Sequence, residues 1–160
     1  MRSFSFVFFA LLLACTASAQ QVHIVPQPAK LNVQPGTFTI SNKTVIAVAD
    51  EGDQKAARFL ADYLQRFYGI KLDIDKQEGN NYIRLNTRKF IQAPEKEGYN
   101  LNVTSNGVTI EGNNYASTFY GMQTLIQLLP VPKQGAPKMP SLSIPMVQVQ
   151  DEPRFAYRGM

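Results

Sequence analysis

The sequence predicts an α+β fold in which two helices pack on one face of a mainly antiparallel sheet. Two segments carry apolar residues at three- and four-residue spacing, which is the pattern of amphipathic helices. The segments around them are shorter, alternate between apolar and polar residues, and are separated by Gly, Pro and Asn, as expected for strands and turns. With 160 residues, 44% of them hydrophobic and 18% charged, the chain is long enough for about one domain with its own core.

Residues 1–19 are predicted to be a secretory signal peptide rather than part of the fold. Arg2 supplies a positive charge, residues 4–13 form an apolar run, and Ala17 and Ala19 are the small residues of a signal-peptidase site. The apolar run is about half the ~20 residues that span a bilayer, so no transmembrane helix is expected. Cleavage after Ala19 predicts a secreted or periplasmic protein.

The alternative is a lipoprotein, because Leu12-Leu13-Ala14-Cys15 resembles a bacterial lipoprotein cleavage box, and a lipid on Cys15 would anchor the protein to a membrane. Cys15 is the only cysteine and His23 the only histidine, which excludes an intrachain disulfide and a zinc site built from Cys and His. No metal site and no cofactor are therefore expected. The basic residues are scattered among acidic ones despite a net charge of +4, so nucleic-acid binding is not expected either.

The first strands are predicted after this leader. Residues 30–33 and 37–40 alternate on either side of a Pro35-Gly36 pair, which predicts a hairpin. Residues 44–48 are β-branched and apolar, as in a buried strand.

The first helix is predicted to begin at Asp50 or Asp53, whose carboxylates can accept hydrogen bonds from unpaired backbone amides, and to end at Gly69. The adjacent acids Asp50 and Glu51 are therefore interpreted as a helix start rather than as a catalytic pair. The predicted buried stripe of this helix consists of Ala56, Phe59, Leu60, Tyr63, Leu64 and Phe67.

The second half is predicted to contain more strands, including a hairpin. Asn106-Gly107 favours the positive dihedral angles of a tight turn, so its flanking segments should pair. A proline-rich stretch over residues 130–145 is expected to be an exposed connector, and Asp151-Glu152 a solvated junction. The predicted strands are residues 71–75, 82–87, 99–104, 108–112 and 143–150.

The second helix is predicted to begin at Asn113 or Asn114 and to end before Pro130. Gly121 in its middle indicates close packing against the sheet, because a helical glycine is otherwise unfavourable by about 1 kcal/mol. The aromatic residues of this helix, including Tyr120, are interpreted as core side chains rather than as a platform for stacking sugars. Its predicted buried stripe is Tyr115, Phe119, Met122, Ile126 and Leu129, widened by Ala116, Leu125 and Leu128.

Three motifs follow one another along the chain. They are Ile24-Val25-Pro26-Gln27-Pro28, then Phe119-Tyr120-Gly121-Met122-Gln123-Thr124-Leu125 on the second helix, and Asp151-Glu152-Pro153-Arg154-Phe155-Ala156-Tyr157-Arg158-Gly159 at the end. In order and approximate spacing they resemble bacterial β-N-acetylhexosaminidases, family 20 of the glycoside hydrolases, over residues 22–160.

The resemblance implies that residues 20–150 are the family's non-catalytic N-terminal domain. Residues 151–160 are then the junction and the first strand of a (β/α)8 catalytic barrel, cut off at Met160. The family removes terminal N-acetylhexosamine by substrate assistance, in which the acetamide oxygen of the sugar attacks the anomeric carbon and the configuration is retained. Its catalytic Asp-Glu pair belongs to a later barrel strand, so the resemblance implies no catalytic residue here, and the chain alone should be inactive.

Arg158 matches the arginine with which the family's first barrel strand contacts hydroxyls of the terminal sugar. A guanidinium suits this role because it presents a planar fork of donors to paired oxygens, and the alternative is a strand-end arginine paired with a carboxylate. The implied partners are the downstream catalytic barrel and, in the full-length protein, N-acetylhexosamine-terminated glycans. The alternative function is a stand-alone secreted module that binds carbohydrate or protein.

Overall fold

The computed structural model of the protein describes residues 22–48, 50–88, 97–132 and 138–152. These residues contain seven strands and two α-helices. The strands are β1 (Lys30–Ser41), β2 (Val45–Val48), β3 (Asp73–Asp75), β4 (Tyr82–Thr87), β5 (Tyr99–Val103), β6 (Gly107–Gly112) and β7 (Ser141–Asp151). The helices are α1 (Gln54–Tyr68) and α2 (Tyr115–Leu128).

The strands form one sheet in the order β1-β7-β5-β6-β4-β2-β3, which confirms the α+β fold. Antiparallel pairing joins β7 to both β1 and β5 and joins β5 to β6, and it includes the longest pair, β1 with β7. The neighbours β6-β4-β2-β3 are parallel. Parallel neighbours need a crossover, and α1 supplies the one between β2 and β3. The sheet therefore has an antiparallel half and a parallel half, with antiparallel pairing the more extensive.

The hairpin predicted at residues 30–40 is wrong. Both halves belong to the single strand β1, which pairs with β7 on each side of a register shift between Gln34 and Thr37. Pro35 and Gly36 therefore form a bulge rather than a turn. Gly36 adopts a φ of 111°, a conformation that residues with a side chain rarely take. A proline is tolerated here because β1 is the edge strand of the sheet.

α1 begins and ends close to the predicted residues, but the face it buries is rotated. Asp50 caps a 3-10 turn (Glu51–Asp53) ahead of the helix, and Gly69 ends the helix with a φ of 75°. Phe59 and Phe67 leave 45% and 48% of their surface exposed, so the predicted stripe is wrong at these two positions. The side chains that α1 buries are Ala56, Ala57, Leu60, Leu64 and Tyr68.

The face that α2 buries is rotated from the predicted one, and the close packing of Gly121 against the sheet explains the difference. Asn114 caps the helix by accepting hydrogen bonds from the amide and the hydroxyl of Ser117. A Cβ atom at Gly121 would lie 2.6 Å from Cγ2 of Ile110, which confirms the predicted close packing. The buried face combines small or hydroxyl-bearing residues with three larger apolar side chains, and at Gly121 it leaves no room for a side chain. The residues that α2 buries are Ser117, Thr118, Gly121, Met122, Thr124, Leu125 and Leu128.

One apolar core lies between the helix layer and the sheet. β5 and β6 form the predicted hairpin, in which the Thr104 amide donates a hydrogen bond to the Gly107 carbonyl oxygen at 2.9 Å. The largest fully buried side chains are Phe38, Ile40, Ile46, Leu60, Leu64, Ile83, Leu85, Leu101, Ile110, Met122, Leu125 and Leu142.

β7 lies inside the sheet, between β1 and β5, although it is last in the sequence. It begins at Ser141, two residues earlier than predicted, so Pro145 lies in a strand and not in a connector. Pro145 pairs with Thr37, next to the bulge of β1. The apolar side chains that β7 buries are Leu142, Ile144, Val147 and Val149.

A buried carboxylate joins three elements. Asp53 is 1% exposed, and its two oxygens accept hydrogen bonds from the Thr87 amide at 2.9 Å and the Thr87 hydroxyl at 2.5 Å. The Thr87 hydroxyl also lies 2.6 Å from the Thr118 hydroxyl. These bonds connect the start of α1, the end of β4 and the first turn of α2.

Candidate functional site

Arg158, to which the resemblance assigns sugar binding, lies outside the described residues, as do the predicted signal peptide and Cys15. Its role stays a prediction. Within the described ranges, no three His, Cys, Asp or Glu side chains lie close enough together to hold a metal ion. The helices described there are all too short or too polar to cross a membrane.

Aromatic side chains line the helix layer where it is exposed. Phe59, Tyr63 and Phe67 follow one another at four-residue steps along α1. The Phe59 ring meets Phe119 of α2 edge-to-face at 5.7 Å, and the Tyr63 ring lies 4.6 Å from that of Phe67. These four residues are called the aromatic seam below. Because Phe59 and Phe67 are about half exposed, the seam is an apolar surface left uncovered by the part of the chain that the structure describes.

The interpretation of Tyr115 and Tyr120 as core residues is wrong, since they are 50% and 39% exposed, and Phe119 is only partly buried. The Tyr115 hydroxyl donates a hydrogen bond to Oδ1 of Asp50 at 3.0 Å, and this bond raises the pKa of Tyr115. Asp50 thus caps the turn before α1 and also holds the first residue of α2.

The end of the described chain lies beside α2. A cavity of about 150 Å³ is lined by Asp151 and Glu152 at the end of β7, by Tyr120 and Gln127 of α2, and by Ile24. The chain therefore leaves the sheet next to the outer side of α2.

The leading segment is attached at the same place. The Val25 amide donates to Oε1 of Gln127 at 2.8 Å, and Nε2 of Gln127 donates to the Val25 carbonyl oxygen at 3.1 Å. The Ala29 amide donates to Oδ1 of Asp151 at 3.1 Å. Both ends of the described domain thus meet against α2, and Asp151 has a structural partner rather than only solvent.

Hydrogen bonds within the domain hold the polar groups at the wall of this cavity. The Tyr99 hydroxyl lies 2.7 Å from the Thr124 hydroxyl, and burial raises the pKa of Tyr99. Of the two adjacent acid pairs, one caps the turn before α1 through Asp50 and the other binds a backbone amide through Asp151. Both acid pairs thus make hydrogen bonds within the domain.

Sequence reasoning missed the aromatic seam because aromatic residues at helical spacing fit a core stripe equally well. The signal that separates the two cases is a second stripe on the same helix. Ser117, Gly121, Thr124 and Leu128 also recur at three- and four-residue steps in α2. Two stripes cannot both face one sheet, and the small residues allow the closer approach.

Residues 21–152 match the family model of glycosyl hydrolase family 20, domain 2. The chain is 34% identical over 160 residues to a β-hexosaminidase from Porphyromonas gingivalis (strain ATCC BAA-308 / W83), and the match covers 92% of the chain and 20% of that protein. The fold resembles the solved GH20 β-N-acetylhexosaminidase from Streptomyces coelicolor A3(2), with a TM-score of 0.71 and 33% identity over 82% of this chain and 26% of that one. It also resembles a mutant Streptomyces plicatus β-hexosaminidase in complex with product (GlcNAc), with a TM-score of 0.71 and 31% identity over 84% of this chain and 27% of that one.

The chain thus spans only about a fifth to a quarter of the length of these relatives. The matched region includes every strand and helix described above. Sequence and fold agree, and the chain belongs to glycosyl hydrolase family 20, where it matches domain 2.

Proposed function

We propose that this domain belongs to an exo-acting β-N-acetylhexosaminidase that removes terminal N-acetylhexosamine from glycans by substrate-assisted, retaining hydrolysis. The names of the matched relatives support the reaction class, and the GlcNAc complex of the Streptomyces plicatus protein supports the sugar. The catalytic Asp-Glu pair of this chemistry is proposed to lie in the barrel and not in this chain. Arg158 is proposed to contact hydroxyls of the terminal sugar.

The domain's own work is to hold the catalytic barrel, and the aromatic seam is the observation that carries this part of the proposal. Covering the exposed half of one phenylalanine contributes about 2 kcal/mol, so Phe59 and Phe67 offer a substantial contact. Asp151 and Glu152 lie beside Tyr120, so a domain that follows them starts next to the helix layer. A barrel packed on α1 and α2 covers the seam.

Hydrolysis of a chromogenic N-acetylglucosaminide tests the division of labour. We expect no turnover by the purified chain and turnover by the complete enzyme. In the complete enzyme, Arg158→Ala should lower kcat/KM by about 100-fold, because charge-assisted hydrogen bonds to the sugar are lost. Turnover by the chain alone would contradict its inactivity, and an unchanged kcat/KM would remove Arg158 from the sugar site.

The docking face is tested by two matched double variants of the complete enzyme. Phe59→Ser with Phe67→Ser should lower the midpoint of thermal unfolding by about 5 °C, because the barrel loses its apolar contact. Arg58→Ser with Gln65→Ser alters two exposed polar residues of the same helix and should leave the midpoint nearly unchanged. Equal midpoints for the two double variants would show that the barrel docks elsewhere.

We also infer that the protein is exported, to the periplasm or beyond, with a lipid anchor on Cys15 as the alternative. The basic start, the apolar run and the Ala17-Ser18-Ala19 site support export. Mass spectrometry of the mature N-terminus distinguishes the two routes. A start at Gln20 identifies signal-peptide cleavage, and a lipid-modified start at Cys15 identifies the lipoprotein.

A further inference from the structure

The sheet face turned away from the helices carries a cluster of side-chain amides. Strand alternation and register place these amides in two rows across β1, β7 and β5. Gln150 of β7 lies between Lys30 and Asn100 in one row, and Gln148 lies between Asn32 and Asn102 in the other. The amide face is defined as Asn32, Asn100, Asn102, Gln148 and Gln150.

These amides surround a depression of about 440 Å³ on the open side of the sheet. Its size falls in the range of small-molecule sites, roughly 300–1,000 Å³. Lys30 and Glu111 line it together with the amides. The depression lies on the layer opposite the aromatic seam, so a barrel packed on the helices leaves it open.

The amides keep their hydrogen-bonding capacity for a ligand. Among the described residues, none of the five side-chain amides is hydrogen-bonded to a protein group. Oδ1 of Asn102 is buried and has no hydrogen-bond partner among the described residues. The same is true of Nε of Arg84, which lies in the same row as Asn102, two strands away on β4. A buried acceptor without a donor is unfavourable, and a rotation of the Asn102 side chain toward the depression would let a ligand hydroxyl satisfy it.

Most charges around the amide face are paired. Arg84 pairs with Glu78 at 2.5 Å, and Arg88 pairs with Glu111. Lys30 also lines the depression, and it forms no ion pair with an acid among the described residues. Phosphate-rich and polyanionic ligands need clustered positive charge, and this surface does not provide it.

We propose that the amide face binds an uncharged oligosaccharide. An amide offers one acceptor and two donors in a plane, which matches the neighbouring hydroxyls and the acetamido groups of a sugar chain. Two rows of amides along adjacent strands repeat these groups, so that successive sugar units meet successive amides. A single unneutralised charge, that of Lys30, fits a neutral glycan better than a polyanion.

The binding is tested by calorimetric titration of the full purified chain with N-acetylchitotetraose, and with cellotetraose to separate acetamido from hydroxyl recognition. Gln148 and Gln150 are exposed, so Gln148→Ala and Gln150→Ala leave the fold intact. Each should weaken binding by at least fivefold, and Asn102→Ala should do the same. Gln65 is exposed on α1, so Gln65→Ala is the matched control and should bind like the parent chain.

Amide-resolved NMR of the same titration locates the contact independently of any variant. Shifts confined to β1, β5 and β7, together with the expected losses, support the proposal. If neither tetrasaccharide binds at 5 mM, which is about ten times the Kd of a weak site, the proposal is overturned. Shifts on the helix layer, or equal weakening in Gln65→Ala, would overturn it as well.

Discussion

Tyr68, the last residue of α1, is buried, and its hydroxyl donates a hydrogen bond to the Pro130 carbonyl oxygen at 2.6 Å. Burial, with a smaller contribution from Tyr63, raises the pKa of Tyr68 to about 12. In the unfolded chain a tyrosine loses its proton near pH 10. Between pH 10 and pH 12 the folded state therefore holds a proton that the unfolded state has released. The stability linked to this group is complete below pH 10 and is lost as the pH rises toward 12.

At the scale of this residue, Tyr68→Phe should lower the free energy of unfolding by about 1 kcal/mol at neutral pH, because one buried hydrogen bond is lost. The gap between the parent chain and the variant should then narrow from pH 10 to pH 12. Urea unfolding at a series of pH values measures both effects. Tyr120→Phe, which alters an exposed ring of α2, is the control. A gap that stays constant to pH 12 would contradict the proposed linkage.

At the scale of elements, the Asp53 carboxylate holds α1, β4 and α2 in one arrangement. Its two oxygens accept hydrogen bonds from the amide and the hydroxyl of Thr87, and the Thr87 hydroxyl in turn contacts the hydroxyl of Thr118. Removing the carboxylate leaves the amide of the half-buried Thr87 without its acceptor. The cost of such a group exceeds the net value of an ordinary hydrogen bond.

Asp53→Ala should therefore lower the free energy of unfolding by about 3 kcal/mol. Asp62→Ala removes an exposed carboxylate from the same helix and should change it by less than about 0.5 kcal/mol. Chemical denaturation of the two variants at one pH provides the comparison. Similar effects at the two positions would mean that the buried network does not stabilise the contact between elements.

Element positions were largely predictable because their signals are local. The caps at Asp50 and Asn114 and the stop at Gly69 act within a few residues of themselves. The hairpin at Asn106-Gly107 also forms where it was predicted, but without the predicted positive dihedral angles, since the described residues with a positive φ are Gly36 and Gly69. The buried faces of the helices were less predictable. In α1 and α2 the aromatic stripe competes with a stripe of smaller residues, and only contact with the sheet decides between them.

At the scale of the whole molecule, β7 completes the sheet. It pairs with β1 on one side and β5 on the other, and it is separated from β1 by about a hundred residues. Without it, β1 has no strand to pair with in the observed order, and four apolar side chains of the core are missing: Leu142, Ile144, Val147 and Val149.

A chain ended after Pro140 should therefore fail to fold, whereas a chain ended after Glu152 should fold like the full chain. The loss follows from the apolar area and the ladder hydrogen bonds that β7 contributes to both neighbours. Dispersion of the backbone amide NMR spectrum and cooperativity of thermal unfolding report the difference. Cooperative unfolding of the shorter chain would show that the remaining strands form a stable sheet by themselves.

The sequence by itself determined the α+β class, the extents of the helices and most strands, and the family, because periodicity, caps, turns and motifs are written in neighbouring residues. The tertiary structure decided what depends on partners far along the chain. It made residues 30–41 one bulged strand because β7 is long enough to pair with both halves. It turned Phe59 and Phe67 outward because α1 packs a different stripe against the core, made of Ala56, Ala57, Leu60, Leu64 and Tyr68. It also aligned amides on one open face from three strands that are far apart in the sequence, and no local pattern can specify such an arrangement.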